Sequence, residues 1–299
     1  LTPLDLEVVN DSWIGFAMAC YAVRVRQRTK YMMHFCRQNP KEMQDEVWKT
    51  DPEWFKPWFD TEAYHILYGH RSDSEARDLV EALIQKGCLG EPGRALDAGC
   101  GGGRHARALA NRGWKVDAFD LSETSIVEAR QTTFPSVAYR CLDIRSLRDQ
   151  SFWTGTFDLA TNFFTSLGYF DTTIEDEAVI EGFANVLKPG GILLLDFLNV
   201  PFVKANLVES ETIEKQNISF QIHRRIQGGW IEKSIQFNWE GVAQHHVERV
   251  RTLSRSDFET LLSRHGLIIR ETWGDYTLSN WSPLSPRCII LAERKPAQT

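Results

Sequence analysis

Apolar residues follow two rhythms along this 299-residue chain. From Ser74 to Lys86 they recur at helical spacing, with Ala76, Leu79, Val80, Leu83 and Ile84 on one face, which predicts an amphipathic helix. Short apolar runs then alternate with helical stretches. Ala95–Ala98, Lys115–Phe119, Val137–Leu142, Phe157–Asn162 and Ile192–Phe197 predict five strands. Arg104–Arg112 is a helix ended by Gly113, and a second helix is capped by Ser122 with Glu123 in its first turn. A third, Asp176–Leu187, stops at Lys188-Pro-Gly-Gly191. Strands alternating with helices imply an α/β fold with a doubly wound parallel sheet. The apolar run Ile192–Phe197 suits a central strand covered on both faces.

The rhythm then changes. Ile218–Ile226, Trp230–Trp239 and His245–Leu253 are strand-like, and Gly228-Gly229 supplies a hairpin turn between the first two. They predict an antiparallel sheet inserted at about residues 210–253. A helix from Ser256 to His265 and strands Leu267–Glu271 and Cys288–Glu293 complete the domain. Residues 1–57 read as a helical N-terminal extension rich in Trp, Met and Phe, broken near Pro52 and Pro57. That extension is a cap, a partner surface or added core. The domain proper is expected over residues 58–299.

Composition narrows the class. A 42% hydrophobic and 25% charged chain is ordinary for a soluble globular protein. No apolar run approaches the ~20 residues that span a bilayer, and Trp13–Tyr21 is too short and lacks the basic stretch ahead of it that a secretory signal carries. No membrane partner and a cytoplasmic location are therefore expected. Net charge −6 argues against a nucleic-acid partner, which would require phosphate-neutralising basic charge. The six cysteines form no CxxC pair, as expected of free thiols in a reducing compartment. No metal site is expected, since neighbours such as His245-His246 point oppositely on a strand.

The chemistry concentrates in Asp97-Ala-Gly-Cys-Gly-Gly-Gly103, between the first strand and its helix. Gly99, Gly101 and Gly103 permit a sharp turn and close approach of a ligand to the backbone. Asp120 ends the next strand, where the acid of a nucleotide-binding βαβ unit takes the ribose hydroxyls. A dinucleotide fingerprint would place its third glycine at position 104, which is Arg104 here.

The Gly-x-Gly-x-Gly spacing, with Asp97 before it and Asp120 after it, resembles motif I of the class I S-adenosylmethionine (SAM) methyltransferases. Trp58-Phe-Asp-Thr-Glu-Ala-Tyr-His-Ile-Leu-Tyr-Gly-His-Arg71 and Phe164-Thr-Ser-Leu-Gly-Tyr169 resemble segments of small-molecule N-methyltransferases of the amino-sugar type. The resemblance covers roughly residues 58–295 and implies a Rossmann-like seven-stranded sheet, with SAM as cofactor. It further implies that Asp97, Gly99, Gly101 and Gly103 cradle the amino-acid end of SAM. Asp120 would take the ribose, Leu121 would bind the cofactor beside it, Asp143 and Ile144 would take the adenine, and Asn162 would stand beside the reacting methyl. Tyr64 would cap the methyl site, Tyr68 would line the cofactor and Arg71 would pair with its carboxylate. Candidate bases are His65, His70, His223, His246, Glu248 and Tyr276, with Tyr64, His65 and His246 carried forward as catalytic. The implied reaction is methylation of a small molecule at an amine, a hydroxyl or carbon. A protein methyltransferase and a non-catalytic SAM-binding module are the alternatives. The inserted sheet either pairs edges across a homodimer or lids the pocket. Asp120→Ala is expected to weaken SAM binding by at least about 10-fold in calorimetric titration; an unchanged affinity would remove Asp120 from the ribose.

Overall fold

The computed structural model describes residues 48–69, 72–132 and 134–296. Residues 1–47, which hold most of the expected helical extension, lie outside the described residues, as do His70 and Arg71. Thr50–Thr299 forms one compact unit, which begins ahead of the boundary expected at residue 58. Packing explains the difference: Trp54, Phe55 and Trp58 are buried in the same core as the central strands.

Helices α1 (Phe55–Phe59), α2 (Glu62–Tyr68) and α3 (Asp73–Gln85) precede the sheet. Strands β1 (Arg94–Ala98), β2 (Lys115–Asp120), β3 (Val137–Cys141), β4 (Phe157–Asn162) and β5 (Leu187–Leu198) then alternate with helices α4 (Arg104–Ala110), α5 (Glu123–Gln131) and α6 (Thr173–Val186). After α7 (Val200–Ala205) comes a separate antiparallel sheet of β6 (Ser210–Lys215), β7 (Ile218–Gln227), β8 (Trp230–Trp239) and β9 (Val242–Arg251), in that order. Helix α8 (Arg255–Arg264) and strands β10 (Leu267–Trp273) and β11 (Arg287–Arg294) close the domain.

The main sheet has seven strands in the order β10-β11-β5-β4-β1-β2-β3. The first five strands in sequence pair in parallel, and β11 runs antiparallel to β5 and β10. Strand order reverses at β1, which lies between β2 and β4, so a crevice opens at the carboxyl ends of β1 and β4. The inserted sheet has four strands rather than the three expected. Its first, Ser210-Glu-Thr-Ile-Glu-Lys215, holds a single strongly apolar residue and so carries no strand pattern. Phe220, Ile222, Ile235 and Phe237 bury one face of this sheet in the core shared with Trp58. Strand β5 starts before its Pro-Gly-Gly segment, and the irregularity falls as a register shift between Phe157 and Leu159 of β4. Among the described residues, no helix is long and apolar enough to cross a membrane.

One buried polar cluster fixes the far side of the crevice. Asp196, near the end of β5, is 1% exposed. Its carboxylate accepts from Arg287 Nε at 2.8 Å, Tyr276 Oη at 2.8 Å and the Phe164 amide at 3.1 Å. Removing one partner of a buried ion pair strands the other charge. Asp196→Ala is therefore expected to lower unfolding free energy by about 3–5 kcal/mol in denaturant titration; a loss under about 1 kcal/mol would show that Arg287 finds water instead.

Candidate active site

The chain leaves β1 through a turn with Gly99 at φ 71°, Gly101 at 51° and Gly103 at 80°, the left-handed region in which side chains are strained. The end of β2 holds this turn. Gly99 and Cys100 donate their amides to the Phe119 carbonyl at 2.8 and 2.9 Å. The Gly101 amide donates to Asp120 Oδ2 at 2.8 Å, and the Ser122 amide to Oδ1 at 2.9 Å. Burial pushes the Asp120 carboxyl up, against the pull of these amides. A Cβ on Gly99 would stand 2.4 Å from Ser166 Oγ, whereas one on Gly101 would meet nothing within 4 Å. The turn is thus packed from behind at Gly99 and open at Gly101.

Beside it lies a cavity of about 330 Å³. Leu121, Leu142 and Ile144 form an apolar wall next to Asp120 and Asp143. Phe55, Phe59, Tyr64, Tyr169 and Phe170 form an aromatic wall, with Phe59 and Tyr64 ring centres 4.9 Å apart and Phe55 and Phe170 5.7 Å apart. Asp73, Arg104, His105 and Arg107 line the glycine-turn end.

The cavity brings together Tyr64, His65, Tyr68, Gly99, Gly101, Asp120, Leu121, Asp143 and Ile144 from the residues singled out in the sequence. Asp97, Gly103, Asn162 and His246 are not part of its wall, and Arg71 lies outside the described residues. The physical reasons differ. Asp97 is buried behind the turn, where it accepts from Thr161 Oγ1 at 2.8 Å; burial lifts its carboxyl to about 6, against the pull of that hydroxyl and of the Ala106 amide. Gly103 caps α4 with its open face filled by Tyr139, whose hydroxyl would be 2.4 Å from a Cβ. Asn162 donates its buried amide to the Ala98 carbonyl at 2.8 Å, tying β4 to the turn. His246 stacks on Trp58 with ring centres 4.2 Å apart.

The other candidate bases are also engaged elsewhere. His223 meets Ser210 Oγ at 2.7 Å, and Tyr276 serves Asp196. Glu248 accepts from Trp58 Nε1 and Tyr68 Oη, each at 2.7 Å, with Lys233 bonded to the same phenol. Only His65 among the described candidates lines the cavity, and its Nε2 is buried without a hydrogen-bond partner. Among the described residues no His, Cys, Asp and Glu cluster is arranged to hold a metal ion.

Sequence reasoning missed what holds the cap over the cavity. Arg145 bonds Asp143 at 2.6 Å, Glu53 at 2.7 and 2.9 Å and Glu175 at 2.8 Å, under the rings of Phe55 and Phe170. The Arg145 guanidinium holds the Glu53 carboxyl at about 2. Asp60 accepts from Ser122 Oγ at 2.6 Å, so the segment before α2 is fixed at both edges of the apolar wall. No local signal links residues 92 positions apart. Phe55 was legible in principle as the i, i+4 partner of Phe59, which lies inside the Trp58–Arg71 segment.

These features fit a nucleoside cofactor with a charged amino-acid tail: an open glycine cradle, an apolar slot flanked by two acids, and a buried Arg104 Nη2 without a hydrogen-bond partner. The fold and site define an α/β nucleoside-binding domain with a capped crevice. The family model of a methyltransferase domain matches residues 95–191. The chain is similar to the putative methyltransferase YqeM of Bacillus subtilis, 28% identical over 77% of this chain and 94% of that protein. It is 35% identical to the ubiquinone biosynthesis O-methyltransferase of Idiomarina loihiensis over 36% of this chain, spanning 42% of that protein. A SAM-dependent methyltransferase structure from Clostridium acetobutylicum superposes with TM-score 0.63 at 19% identity, covering 77% of this chain and 95% of that one. SAM-bound CalS10, an amino pentose methyltransferase from Micromonospora echinaspora, superposes at 0.57 and 20%, covering 79% and 98%. These matches show a methyltransferase domain at residues 95–191 on the fold of SAM-dependent methyltransferases, and SAM is the cofactor that this fold implies.

Asp97 and Asp176 both have carboxyls raised to about 6 by burial. A raised acid binds its proton more tightly in the folded state, so its stabilisation is complete below the unfolded value and lost as pH rises through the folded one. Glu53, lowered, acts oppositely and contributes only above the ordinary glutamate range. Asp97 and Asp176 are expected to lower the unfolding free energy of the ligand-free protein between about pH 4 and pH 7, against the buried His245 and His246, whose lowered imidazoles act oppositely. Asp97→Asn is expected to remove up to about 3 kcal/mol of that slope in denaturant titrations, and an unaltered slope would refute the assignment.

Proposed function

We propose that this enzyme methylates a nitrogen on a small molecule held beneath the aromatic wall. When bound, SAM supplies a methyl group activated on a sulfonium. The apolar wall of Leu121, Leu142 and Ile144, with Asp120 and Asp143 at its edge, would hold the nucleoside. Gly99 to Gly102 would accept the amino-acid chain against the backbone.

The observation that carries the amine reading is the aromatic wall of Phe55, Phe59, Tyr64, Tyr169 and Phe170 at the same cavity. Aromatic faces attract cations. They favour the positive charge of a sulfonium, and equally the ammonium that an amine becomes on gaining a methyl. A neutral amine needs positioning rather than a base. The Arg145 and Asp60 contacts supply the positioning by fixing α1 and α2, and the buried rings of α1 exclude water. That CalS10 is an amino pentose methyltransferase supports the same substrate class. Residues from Thr50 onward would make up the catalytic unit, with the inserted sheet bracing α1 and α2 through Glu248.

His65 favours a second reading, methylation of a hydroxyl. Its Nε2 is buried and unpartnered on a residue that lines the cavity, which suits a base, and the relative from Idiomarina loihiensis is an O-methyltransferase. A panel of aromatic and sugar amines and phenols, assayed for S-adenosylhomocysteine release, separates the two. With an amine, kcat/KM is expected to rise with pH to the acceptor's own pKa and to change less than about fivefold in His65→Ala. Turnover of phenols alone, with an His65→Ala loss of about 10²–10⁴, would replace the amine reading by the hydroxyl one.

A further inference from the structure

Arg104 stands where a dinucleotide-binding turn would have glycine, and its side chain is unusually constrained. It is 13% exposed, with Nη1 donating to Glu75 Oε2 at 2.8 Å and the guanidinium 4.1 Å from the Phe164 ring centre. Phe164 is itself held in the left-handed region at φ 62°, its amide bonded to Asp196. One edge and one face of the guanidinium are therefore fixed. Its Nη2 is buried with no hydrogen-bond partner, on a residue that lines the cavity. A buried guanidinium N–H left unpaired is costly unless a ligand satisfies it.

The cofactor has one anionic group, the carboxylate of its amino-acid chain. The nucleoside end of the cavity is accounted for by Asp120, Asp143 and their apolar wall. The other cavity arginine, Arg107, spends its two Nη atoms on the Gly102 carbonyl and Asp73. We infer that Arg104 Nη2 donates to the cofactor carboxylate, so that the residue excluding a dinucleotide pyrophosphate from this turn also reads the charged end of SAM. The inference depends on the cofactor alone and stands whether the acceptor is an amine or a hydroxyl. It gives Arg104 the role that the resemblance assigns to Arg71.

The test is calorimetric titration with S-adenosylhomocysteine and with decarboxylated S-adenosylhomocysteine, which keeps the amine and lacks only the carboxylate. Arg104→Met is expected to weaken the first by about 10- to 100-fold and the second by less than about twofold. Equal losses for both ligands, or no loss for the first, would overturn the inference. Arg104→Lys keeps the charge and the stem and serves if the methionine variant does not fold. It is expected to lose several-fold for S-adenosylhomocysteine alone, and parallel losses there overturn the inference equally.

Discussion

The site depends on one carboxylate. Asp120 closes β2 and binds the Gly101 amide across the crevice, while the preceding carbonyl of Phe119 takes the amides of Gly99 and Cys100. Three left-handed glycines have no intrinsic reason to stay in one conformation, because glycine loses more backbone freedom on ordering than any other residue. The end of β2 supplies that reason. A carboxylate has about four lone-pair sites, and two backbone donors leave room for two hydroxyls. The same group can therefore hold the turn and meet a ribose. Its burial raises the cost of ionisation, and its backbone donors offset that cost.

The second constraint is the placement of α1 and α2. Their aromatic rings form a wall of the cavity, yet their contact with the nucleotide-binding core is polar at each edge. Arg145 ties Glu53 to Asp143, Asp60 accepts from Ser122, and Glu248 of the inserted sheet takes Trp58 and Tyr68. The ion pairs among these contacts are only partly buried, so no one of them is worth much alone. Arg145 with three carboxylates is a network, in which the guanidinium is held by every partner at once. This gives the inserted sheet its part in the architecture: its buried face supports the helices that cover the crevice.

The parallel strands were legible because burial on both faces selects apolar residues: β5 carries Ile192–Leu195 unbroken, and β1, β2 and β4 carry shorter apolar stretches broken by Asp97, Asp117 and Asp158. Strand β6 was not, since it lies at a sheet edge and its residues alternate between half-buried and exposed. At the site, the residues that line the cavity through backbone or strand-end position were legible: Gly99, Gly101, Asp120, Asp143 and Ile144. Those whose role depends on side-chain direction were not. Asp97 and Asn162 sit at the right ends of the right strands, but neighbouring hydroxyls and carbonyls turn them inward. His246 and Glu248 share a strand face, and that face meets Trp58 and Tyr68 instead of a ligand.

Arg104 shows how one position can be read twice. In sequence it is a missing glycine and excludes a dinucleotide. In the structure, the space a glycine would free is filled by a guanidinium braced by Glu75 and Phe164. Phe164 adopts a strained backbone only because Asp196, Tyr276 and Arg287 anchor its loop from the opposite side of the crevice. Strain of this kind persists where surrounding structure over-determines it. The buried cluster at the end of β5 therefore reaches the glycine turn through one aromatic ring. It joins the β4 to α6 loop, by direct contact, to the guanidinium at the glycine-turn end of the cavity.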